Sequence, residues 1–405
     1  MTTTLLSATR RSVVVALVAG LAMALLLTTG DRSPRTDAAP AARKATSWTP
    51  STGAVFNRPV GTSAEQRAIL AHVNRAVDAT PSGATIRFAV FSFADKPTAS
   101  RLIDAHKRGV KVQLIFNGHK GYKQEKRLQK ALGTNRNKRS FAYFCDRSCR
   151  GEKGQMHQKT FLFSKVGSAE HVVMVGSNNM TRNNVVNQWS DIYTVTEDPA
   201  LYWTYDGMFE QLRRDRPVAR PFIDSSVNEY GATFFPHPGS SQYDDPVHDA
   251  LSSIECVGAA EGFGTETGTD VDGDGVPDRV TKVRIAQHAW NGMRGRYLVH
   301  KVADLHRSGC DVKVMLGVGA GRVIKTVLAN QGVPTNYGET DKKTHQKLMF
   351  VSGAVAGDPA STIVWTGSHN WSDKALKRDD VLKRIDSAEA FAQYDANFED
   401  MWTNG

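Results

Sequence analysis

Two histidine–lysine pairs place acid, base and cationic groups at matched positions in the two halves of this 405-residue chain. One lies in MHQKTFLFS, residues 156–164, and the other in THQKLMFVS, residues 344–352. Each pair precedes an apolar run, and residues i and i+2 of a strand face the same side. The repeat predicts two half-sites that form one composite site, built from His157, Lys159, His345 and Lys347.

A short polar motif follows each pair, after a second apolar strand. It reads Gly-Ser-Asn-Asn at residues 176–179 and Gly-Ser-His-Asn at residues 367–370. Hydroxyls and amides supply neutral hydrogen bonds and lysines supply positive charge, which together suit a tetrahedral phosphoryl group. The candidate residues of this second motif are Ser177, Asn179, Ser368 and Asn370.

The two histidines can divide a phosphoryl transfer between them. A neutral imidazole attacks phosphorus and forms a phosphohistidine, while a protonated imidazole gives its proton to the leaving alkoxide. A carboxylate beside each ring would fix its tautomer. The candidates for this supporting role are Asp191, which follows the first Gly-Ser motif, and Asp379 and Asp380, which follow the second.

The elements around these motifs repeat in the same order in both halves. Apolar strands TIRFAVFSF and VKVQLIF, at residues 85–93 and 110–116, match KVRIAQHAW and CDVKVML, at residues 282–290 and 310–316. A helix is predicted between the strands of each pair, and this order favours parallel pairing through a crossover. The pattern predicts an α/β protein built from a duplicated unit.

These motifs resemble those of the phospholipase D superfamily, whose signature is His-x-Lys, four residues, Asp, and then Gly-Ser-x-Asn or Gly-Ser-x-x-Asn. The resemblance covers most of residues 60–400. It implies an α/β fold of two homologous lobes with pseudo-twofold symmetry, each a mixed, mostly parallel sheet flanked by helices, with one shared active site. It also implies that His157 is the nucleophile and His345 the general acid, with no metal or other cofactor in catalysis.

The same resemblance assigns roles to the polar residues. The sequence departs from the family motif at one position in each copy. Phosphate-oxygen binding falls to Lys159, Lys347, Asn179 and Asn370, with Ser177 and Ser368 in support. Ser164 and Ser352 stand where the family has its motif Asp. Because that Asp does not act directly on phosphorus, we expect activity to survive its replacement.

Charge and composition narrow the class of protein. Apolar residues make up 40% of the chain and charged residues 23%, which is typical of folded globular proteins. A net charge of +10 favours phosphodiesters, nucleic acid or acidic lipid surfaces, although it also serves solubility. Residues 119–155 hold eleven Lys or Arg against three acids, which predicts a substrate-facing basic segment rather than only a solvated face.

The N-terminus and the cysteines together predict export. Arg10 and Arg11 precede an apolar run and then small residues, so residues 1–41 are typical of a secretory signal peptide, with an uncleaved anchor as the alternative. Four cysteines in an exported chain permit two disulfides, Cys145–Cys149 and Cys256–Cys310. The predicted domains are a linker at 42–58, a first repeat at 59–215, a linker at 216–240 and a second repeat at 241–405.

An acidic insertion interrupts the second repeat. Asp270, Asp272, Asp274 and Asp278 fit the first nine positions of an oxygen-ligand calcium loop, but Thr281 replaces the Glu expected at position twelve. The segment predicts either a structural Ca²⁺ site or an acidic hairpin tip.

Three functions fit these features. The first is a secreted phospholipase D that hydrolyses or transphosphatidylates glycerophospholipids and makes transient contact with a membrane surface. The second is a metal-independent nuclease of the same superfamily, in which the basic segment follows a nucleic-acid backbone. The third is a catalytically inactive module that binds an anionic ligand, which would not need the paired histidines.

Overall fold

Two lobes of matching topology make up the part of the chain that the structure describes. The computed structural model covers residues 45–119, 121–239, 241–270, 275, 277–339 and 341–405, and these described residues form one compact unit. The predicted signal peptide and two of the predicted calcium ligands, Asp272 and Asp274, lie outside the described residues. None of the helices in these ranges is both long and apolar enough to cross a bilayer.

The first lobe contains a seven-stranded sheet with helices on both faces. Its strands are β1 (Gly53–Phe56), β2 (Thr85–Val90), β3 (Lys111–Asn117), β4 (Phe141–Cys145), β5 (Lys159–Val166), β6 (Ala169–Gly176), β7 (Gln188–Trp189) and β8 (Asp191–Val195). Its helices are α1 (Ser63–Gln66), α2 (Ala68–Ala79), α3 (Lys96–Lys107), α4 (Lys123–Leu132), α5 (Arg182–Asn187) and α6 (Pro199–Arg214). The sheet order is β1-β8-β6-β5-β2-β3-β4, and β7 pairs instead with a strand of the second lobe.

The second lobe repeats this order in an eight-stranded sheet. Its strands are β9 (Ile223–Val227), β10 (Tyr230–Phe234), β11 (Thr265–Glu266), β12 (Arg279–Val280), β13 (Lys282–Gln287), β14 (Trp290–Asn291), β15 (Asp311–Leu316), β16 (Thr335–Asn336), β17 (Lys343–Thr344), β18 (Lys347–Val355), β19 (Asp358–Gly367), β20 (Trp371–Ser372) and β21 (Val381–Asp386). Its helices are α7 (Pro246–Ser252), α8 (Gly292–Arg307), α9 (Arg322–Asn330) and α10 (Ala388–Asn404). The main sheet runs β16-β15-β13-β18-β19-β21-β10-β9.

Both sheets are mixed and flanked by helices, as predicted, but the expectation of mostly parallel pairing is wrong. Only β2-β3-β4 and β13-β15-β16 are parallel, and every other neighbouring pair in the two sheets is antiparallel. The crossover argument holds for the strands joined through α3 and α8. It does not extend to β5-β6 and β18-β19, which are hairpins joined by tight turns.

Both predicted linkers contain strands, which corrects the domain boundaries. Gly53–Phe56 forms β1 on the edge of the first sheet, paired with β8. Ile223–Val227 and Tyr230–Phe234 form β9 and β10, which extend the second sheet beyond β21. These strands are short and only partly apolar, so their alternation is weak in the sequence.

Three apolar clusters hold the lobes together. One lies on the outer face of the first sheet under α2 and α3, and another lies on the outer face of the second sheet under α7 and α8. The third draws side chains from both sheets and from α6 and α10, so the two inner faces share one core. Both predicted disulfides are present, Cys145–Cys149 beside the first His-x-Lys strand and Cys256–Cys310 in the second lobe.

A buried lysine in the shared core predicts a pH-dependent stability. Lys383 Nζ lies 4.6 Å from the ring centre of Tyr230, and within the described residues it has no hydrogen-bond partner. Burial lowers its pKa to about 7, against the pull of Asp198 and Glu229. Because the unfolded chain holds this proton up to its ordinary pKa near 10.4, Lys383 destabilises the fold most below pH 7 and least near pH 10.

Lys383→Met should therefore stabilise the protein by about 2 kcal/mol at pH 7, with a smaller gain at pH 9. Denaturant unfolding at the two pH values measures both effects. Arg384→Met, at the half-exposed neighbouring residue, is the control and should show no such pH dependence. A Lys383→Met protein less stable than the parent at pH 7 would contradict the prediction.

Candidate active site

The two His-x-Lys strands begin at the boundary between the lobes, and each is held there by the opposite lobe. The His157 N–H donates to the carbonyl oxygen of Asp379, 3.0 Å away, and the His345 N–H donates to that of Trp189, 2.8 Å away. Strand β17 also pairs with β7 across the boundary. The structure thus places the predicted half-sites where the lobes meet.

His157 is held by a carboxylate from the second lobe. Its Nδ1 lies 2.8 Å from Asp380 Oδ1, and Ser368 Oγ donates to the same oxygen over 2.5 Å. Burial favours the neutral acid, but the charge and hydrogen bond of His157 outweigh it and lower the pKa of Asp380. An ionised Asp380 accepts a hydrogen bond from the Nδ1–H group of His157. The free lone pair of the ring therefore lies on Nε2.

His345 has a different partner, so the two half-sites are not equivalent. Its Nδ1 lies 2.8 Å from the backbone carbonyl oxygen of Ser177 rather than from an acid. The position equivalent to Asp380 is Asp191, whose carboxylate accepts from Ser177 Oγ, Thr366 Oγ1 and Tyr394 OH. Of the two histidines, only His157 is paired with a carboxylate in the described structure.

The predicted roles of Asp191, Asp379 and the two serines need correction. The carboxylates of Asp191 and Asp379 make no hydrogen bond or ion pair with His157 or His345 in the described part of the chain. Asp379 accepts from Ser148 Oγ at 2.8 Å and from the Cys149 N–H at 2.5 Å, which anchors the disulfide loop. Ser177 and Ser368 each donate to an acid and accept a backbone N–H, so their hydroxyls position carboxylates rather than reach substrate.

Both motif lysines are fully buried and turn back onto their own strands. Lys159 Nζ donates to the His157 carbonyl oxygen at 2.5 Å, and Lys347 Nζ donates to that of His345. Burial lowers the pKa of Lys159 to about 7 and that of Lys347 well below its ordinary value. A bound phosphodiester would return both pKa values upward, because an adjacent anion favours the charged ammonium.

The motif asparagines are buried beside these groups. Asn179 and Asn370 are 9% and 3% exposed, and neither side-chain oxygen has a partner within the described residues. The Asn370 carbonyl oxygen accepts from Arg294, which is itself paired with buried Asp245. Their glycine neighbours serve packing rather than ligand approach, since a Cβ on Gly176 or Gly367 would overlap the backbone of β8 or β21.

Sequence reasoning missed several rings that lie around the two motif histidines. The Phe91 ring centre lies 4.6 Å from that of His157, and the His288 ring centre lies 4.2 Å from that of His345. These residues occupy the same position in the matched strands TIRFAVFSF and KVRIAQHAW, so the repeat alignment carries the signal. Burial, followed by the charge of Lys347, lowers the pKa of His345 well below its usual value, and His288 adds to this shift.

The serines that replace the motif Asp, Ser164 and Ser352, lie far from the His-x-Lys residues. Ser164 Oγ accepts the Thr85 N–H at 2.9 Å, and Ser352 Oγ accepts the Gly264 N–H at 3.0 Å. Ser164 is five residues along β5 from Lys159, about 16 Å at the usual rise of a strand. Both serines therefore act as neutral acceptors for backbone groups at the far end of the sheets.

Ser164→Asp should change kcat by less than about threefold, because the new carboxylate can still accept the Thr85 N–H. Ser164→Ala should leave kcat similar and cost about 1 kcal/mol of unfolding free energy, because that N–H loses its partner. Steady-state kinetics and denaturant unfolding of the two variants measure these effects. A tenfold gain in kcat for Ser164→Asp would show that the serine had weakened the site.

The described residues give little support for a metal centre. The acidic insertion contributes only Asp270 and Asp278 of the four predicted calcium ligands to the described structure. One cluster of possible ligands was found among these residues, Cys145, Cys149 and Asp215, but its two sulfurs form a disulfide.

Comparisons with known proteins agree with the repeat. The family model described as "Cardiolipin synthase, PLD-like domain" matches residues 78–213 and 280–402. No curated protein sequence matches the chain significantly.

Two solved structures show the same fold at low sequence identity, and a third aligns with part of the chain. Phosphatidylserine synthase from Haemophilus influenzae aligns with a TM-score of 0.52 and 11% identity, over 86% of each chain. Polyphosphate kinase from Porphyromonas gingivalis aligns with a TM-score of 0.53 and 10% identity, over 85% of this chain. This chain spans only 45% of the kinase. Nuc from Salmonella typhimurium, a phospholipase D family member, aligns over 40% of this chain and 91% of its own, with 16% identity and a TM-score of 0.31.

Proposed function

Because this chain belongs to the phospholipase D superfamily, we propose that it cleaves glycerophospholipids at a phosphodiester bond through a covalent phosphohistidine. The observation that carries the proposal is the unequal pairing of the two histidines. Asp380 holds the proton of His157 on Nδ1 and so leaves Nε2 as the nucleophile. His345, which has no acid partner among the described residues, is the ring that exchanges protons with substrate.

The proposed reaction proceeds in two displacements. Binding of the phosphodiester anion favours the protonated form of His345. His157 Nε2 then attacks phosphorus, the bond to the leaving oxygen breaks, and His345 gives its proton to that oxygen. His345 then takes a proton from water or an alcohol, whose oxygen displaces Nε2 and releases the phosphoryl product. Lys159 and Lys347, with the two motif asparagines, stabilise the charge on the equatorial oxygens. Members of this superfamily generally work without a metal ion.

A lipid substrate is supported by what the matched proteins are named for. The family description names cardiolipin synthase, and the structure that aligns over most of both chains is a phosphatidylserine synthase. Both names refer to enzymes of phospholipid chemistry. We therefore propose a glycerophospholipid substrate, with water or an alcohol as acceptor.

A nuclease is the second candidate, favoured by a basic cavity on the edge of the first lobe. A cavity of about 540 Å³ beside β4 and the end of α6 is lined by Arg136, Arg213, Arg214 and Arg216. The Arg136 guanidinium lies 4.2 Å from the Tyr143 ring centre, and its Nη1 donates to the Arg213 carbonyl oxygen at 2.7 Å. If one phosphate of a nucleic-acid backbone were bound at the two histidines, another phosphate of the same backbone would fit this cavity.

A paired assay at one salt concentration tests the proposal. Head-group release from phospholipid vesicles is compared with cleavage of single- and double-stranded DNA, with His157→Ala as the inactive control and EDTA in a parallel arm. We expect lipid cleavage that EDTA leaves unchanged and His157→Ala abolishes. Salt-sensitive cleavage of DNA alone would establish the nuclease instead, and activity removed by EDTA but kept by His157→Ala would refute the composite site.

Export of the protein is also a proposal, supported by the two disulfides. Disulfides persist in oxidising compartments and are rare in a reducing cytosol. Cleavage after residue 41 would leave both disulfide-forming pairs in the mature chain. N-terminal sequencing of protein recovered from the culture medium tests it, and recovery only from the cytosol with reduced cysteines would contradict it.

A further inference from the structure

Exposed apolar side chains concentrate at one end of the second lobe. Large apolar side chains with high exposure in the described structure are Trp203 (59%), Tyr243 (84%), Val257 (69%), Met293 (67%), Val318 (67%), Val323 (40%) and Tyr337 (39%). Four of them, Met293, Val318, Val323 and Tyr337, follow the carboxyl ends of β14, β15 and β16 or begin the helices there. We call these four residues the apolar rim.

The apolar rim lies at the same end of the sheet as the catalytic residues. Lys347 pairs with Gln287, the last residue of β13, so the His-x-Lys strand starts where β13 and its parallel neighbour β15 end. Val318 follows Gly317, where an added Cβ would touch the backbone of Thr344 and His288. The backbone carbonyl oxygen of Gly319, the residue after Val318, accepts a hydrogen bond from the Asn291 side chain. This bond joins the loop that carries Val318 to the start of α8, where Met293 lies.

The second pair of rim residues is linked to the site in the same way. Tyr337 lies under Lys325, whose Nζ is 5.3 Å from the ring centre, and Lys325 is on the first turn of α9 with Val323. Lys343 Nζ donates to the Tyr337 carbonyl oxygen at 2.6 Å, and Lys343 is two residues before His345. The four residues therefore lie on loops at the end of the second sheet where its His-x-Lys strand begins.

Two of the other three exposed residues lie at the opposite ends of the strands, and the third, Tyr243, lies just before α7 in a segment that contacts α8. Trp203 packs on His171 near the start of β6, where β5 ends, and Val257 bridges to Val280 before the start of β13. Exposed apolar side chains that gather at the end of a sheet where a site lies are typical of a binding surface.

Charge beside the apolar rim identifies its partner. Residues 317–344 contain Arg322, Lys325, Lys342 and Lys343 against two acids, and Asp341 pairs with Lys342. Asp373, beside Met293, already accepts the N–H groups at the start of α8. Apolar side chains surrounded by lysine and arginine suit the boundary between acyl chains and anionic head groups.

We propose that the apolar rim docks this chain onto an anionic phospholipid bilayer, with the end of the second sheet that carries His345 and Lys347 facing the lipid. Met293, Val318 and Val323 enter the interface, and Tyr337 with Lys325 lies at head-group depth, where an aromatic ring and a flexible cation are both accommodated. The proposal deepens the lipid function above and rests on it for the biological substrate. Docking itself is independent of catalysis.

Vesicle binding tests the proposal in an inactive background. His157→Ala protein is sedimented with vesicles of phosphatidylcholine and phosphatidylglycerol, alone and with Met293→Gln, Val318→Thr and Val323→Gln combined. We expect the triple substitution to weaken partitioning by about tenfold or more, given the transfer free energy of three apolar side chains. Trp203→Gln with Val257→Thr is the matched control and should bind as its parent does.

The outcomes separate docking from the proposed activity. Equal vesicle binding by the triple variant and its parent overturns the docking surface. So does a dimer in analytical ultracentrifugation that the triple variant disperses while vesicles are not bound, because the rim would then bind a second copy. Hydrolysis of a monomeric short-chain phospholipid, measured with His157 intact, reports the proposed function alone. The triple substitution should leave that rate unchanged.

Discussion

Replacing His157 by alanine is expected to reduce turnover by about 10⁴-fold or more, because it removes the nucleophile and not only a binding contact. His345→Ala should reduce turnover of phospholipid to a similar degree, since an alkoxide leaving group needs its proton. The two losses differ in mechanism and can be separated. Exposed His300→Ala, on α8, is the control and should retain full activity.

A p-nitrophenyl phosphodiester separates the two roles, because its leaving group departs without protonation. With this substrate, His345→Ala should still form the phosphohistidine at His157 but should hydrolyse it slowly. The expected result is a burst of about one equivalent of nitrophenol and a mass increase on the peptide that contains residue 157. His157→Ala should show neither. A burst in His157→Ala that is lost in His345→Ala would reverse the assignment.

The position of the site follows from the repeat, because a composite site needs only the match of its two halves. Two copies of His-x-Lys on apolar strands, each followed by Gly-Ser-x-Asn, predict which side chains meet. The sequence does not show that the histidines of the two half-sites have different hydrogen-bond partners. Asp191 and Asp380 occupy equivalent positions, yet Tyr394 and Thr366 bind the first and His157 binds the second. These partners come from distant elements that no local pattern joins.

The direction of the strands could not be predicted from the sequence for a similar reason. A fully buried strand is apolar whether its neighbours run parallel or antiparallel, so the period of β5 and β6 carries no direction. The segment 119–155 shows the same limit for charge. Arg150, counted among its positive residues, is buried and donates to the carbonyl oxygens of Phe235 and Pro221. Its charge holds the chain between the lobes together rather than facing substrate.

Asp380→Asn is expected to lower kcat by about 10²- to 10⁴-fold while the fold is kept. The amide can still accept from His157 Nδ1, but it cannot stabilise the positive charge that develops on the ring during attack on phosphorus. Burst kinetics with the p-nitrophenyl substrate should show a slower first step. Because the lowered pKa of Asp380 means that its charge stabilises the fold at neutral pH, thermal stability should fall as well. The slower first step, measured on folded protein, is therefore the readout that a merely structural role for Asp380 would not produce.

Asp191→Asn is the matched control for this prediction. It makes the same change at the equivalent position of the first lobe, where the carboxylate accepts from Ser177, Thr366 and Tyr394 and has no histidine partner in the described structure. We expect less than about tenfold loss in kcat, since only the scaffold beneath Ser177 is affected. Equal losses in both variants would mean that Asp380 acts through general packing. A larger loss for Asp191→Asn would make His345 the ring that depends on a carboxylate, and would therefore exchange the roles of nucleophile and acid.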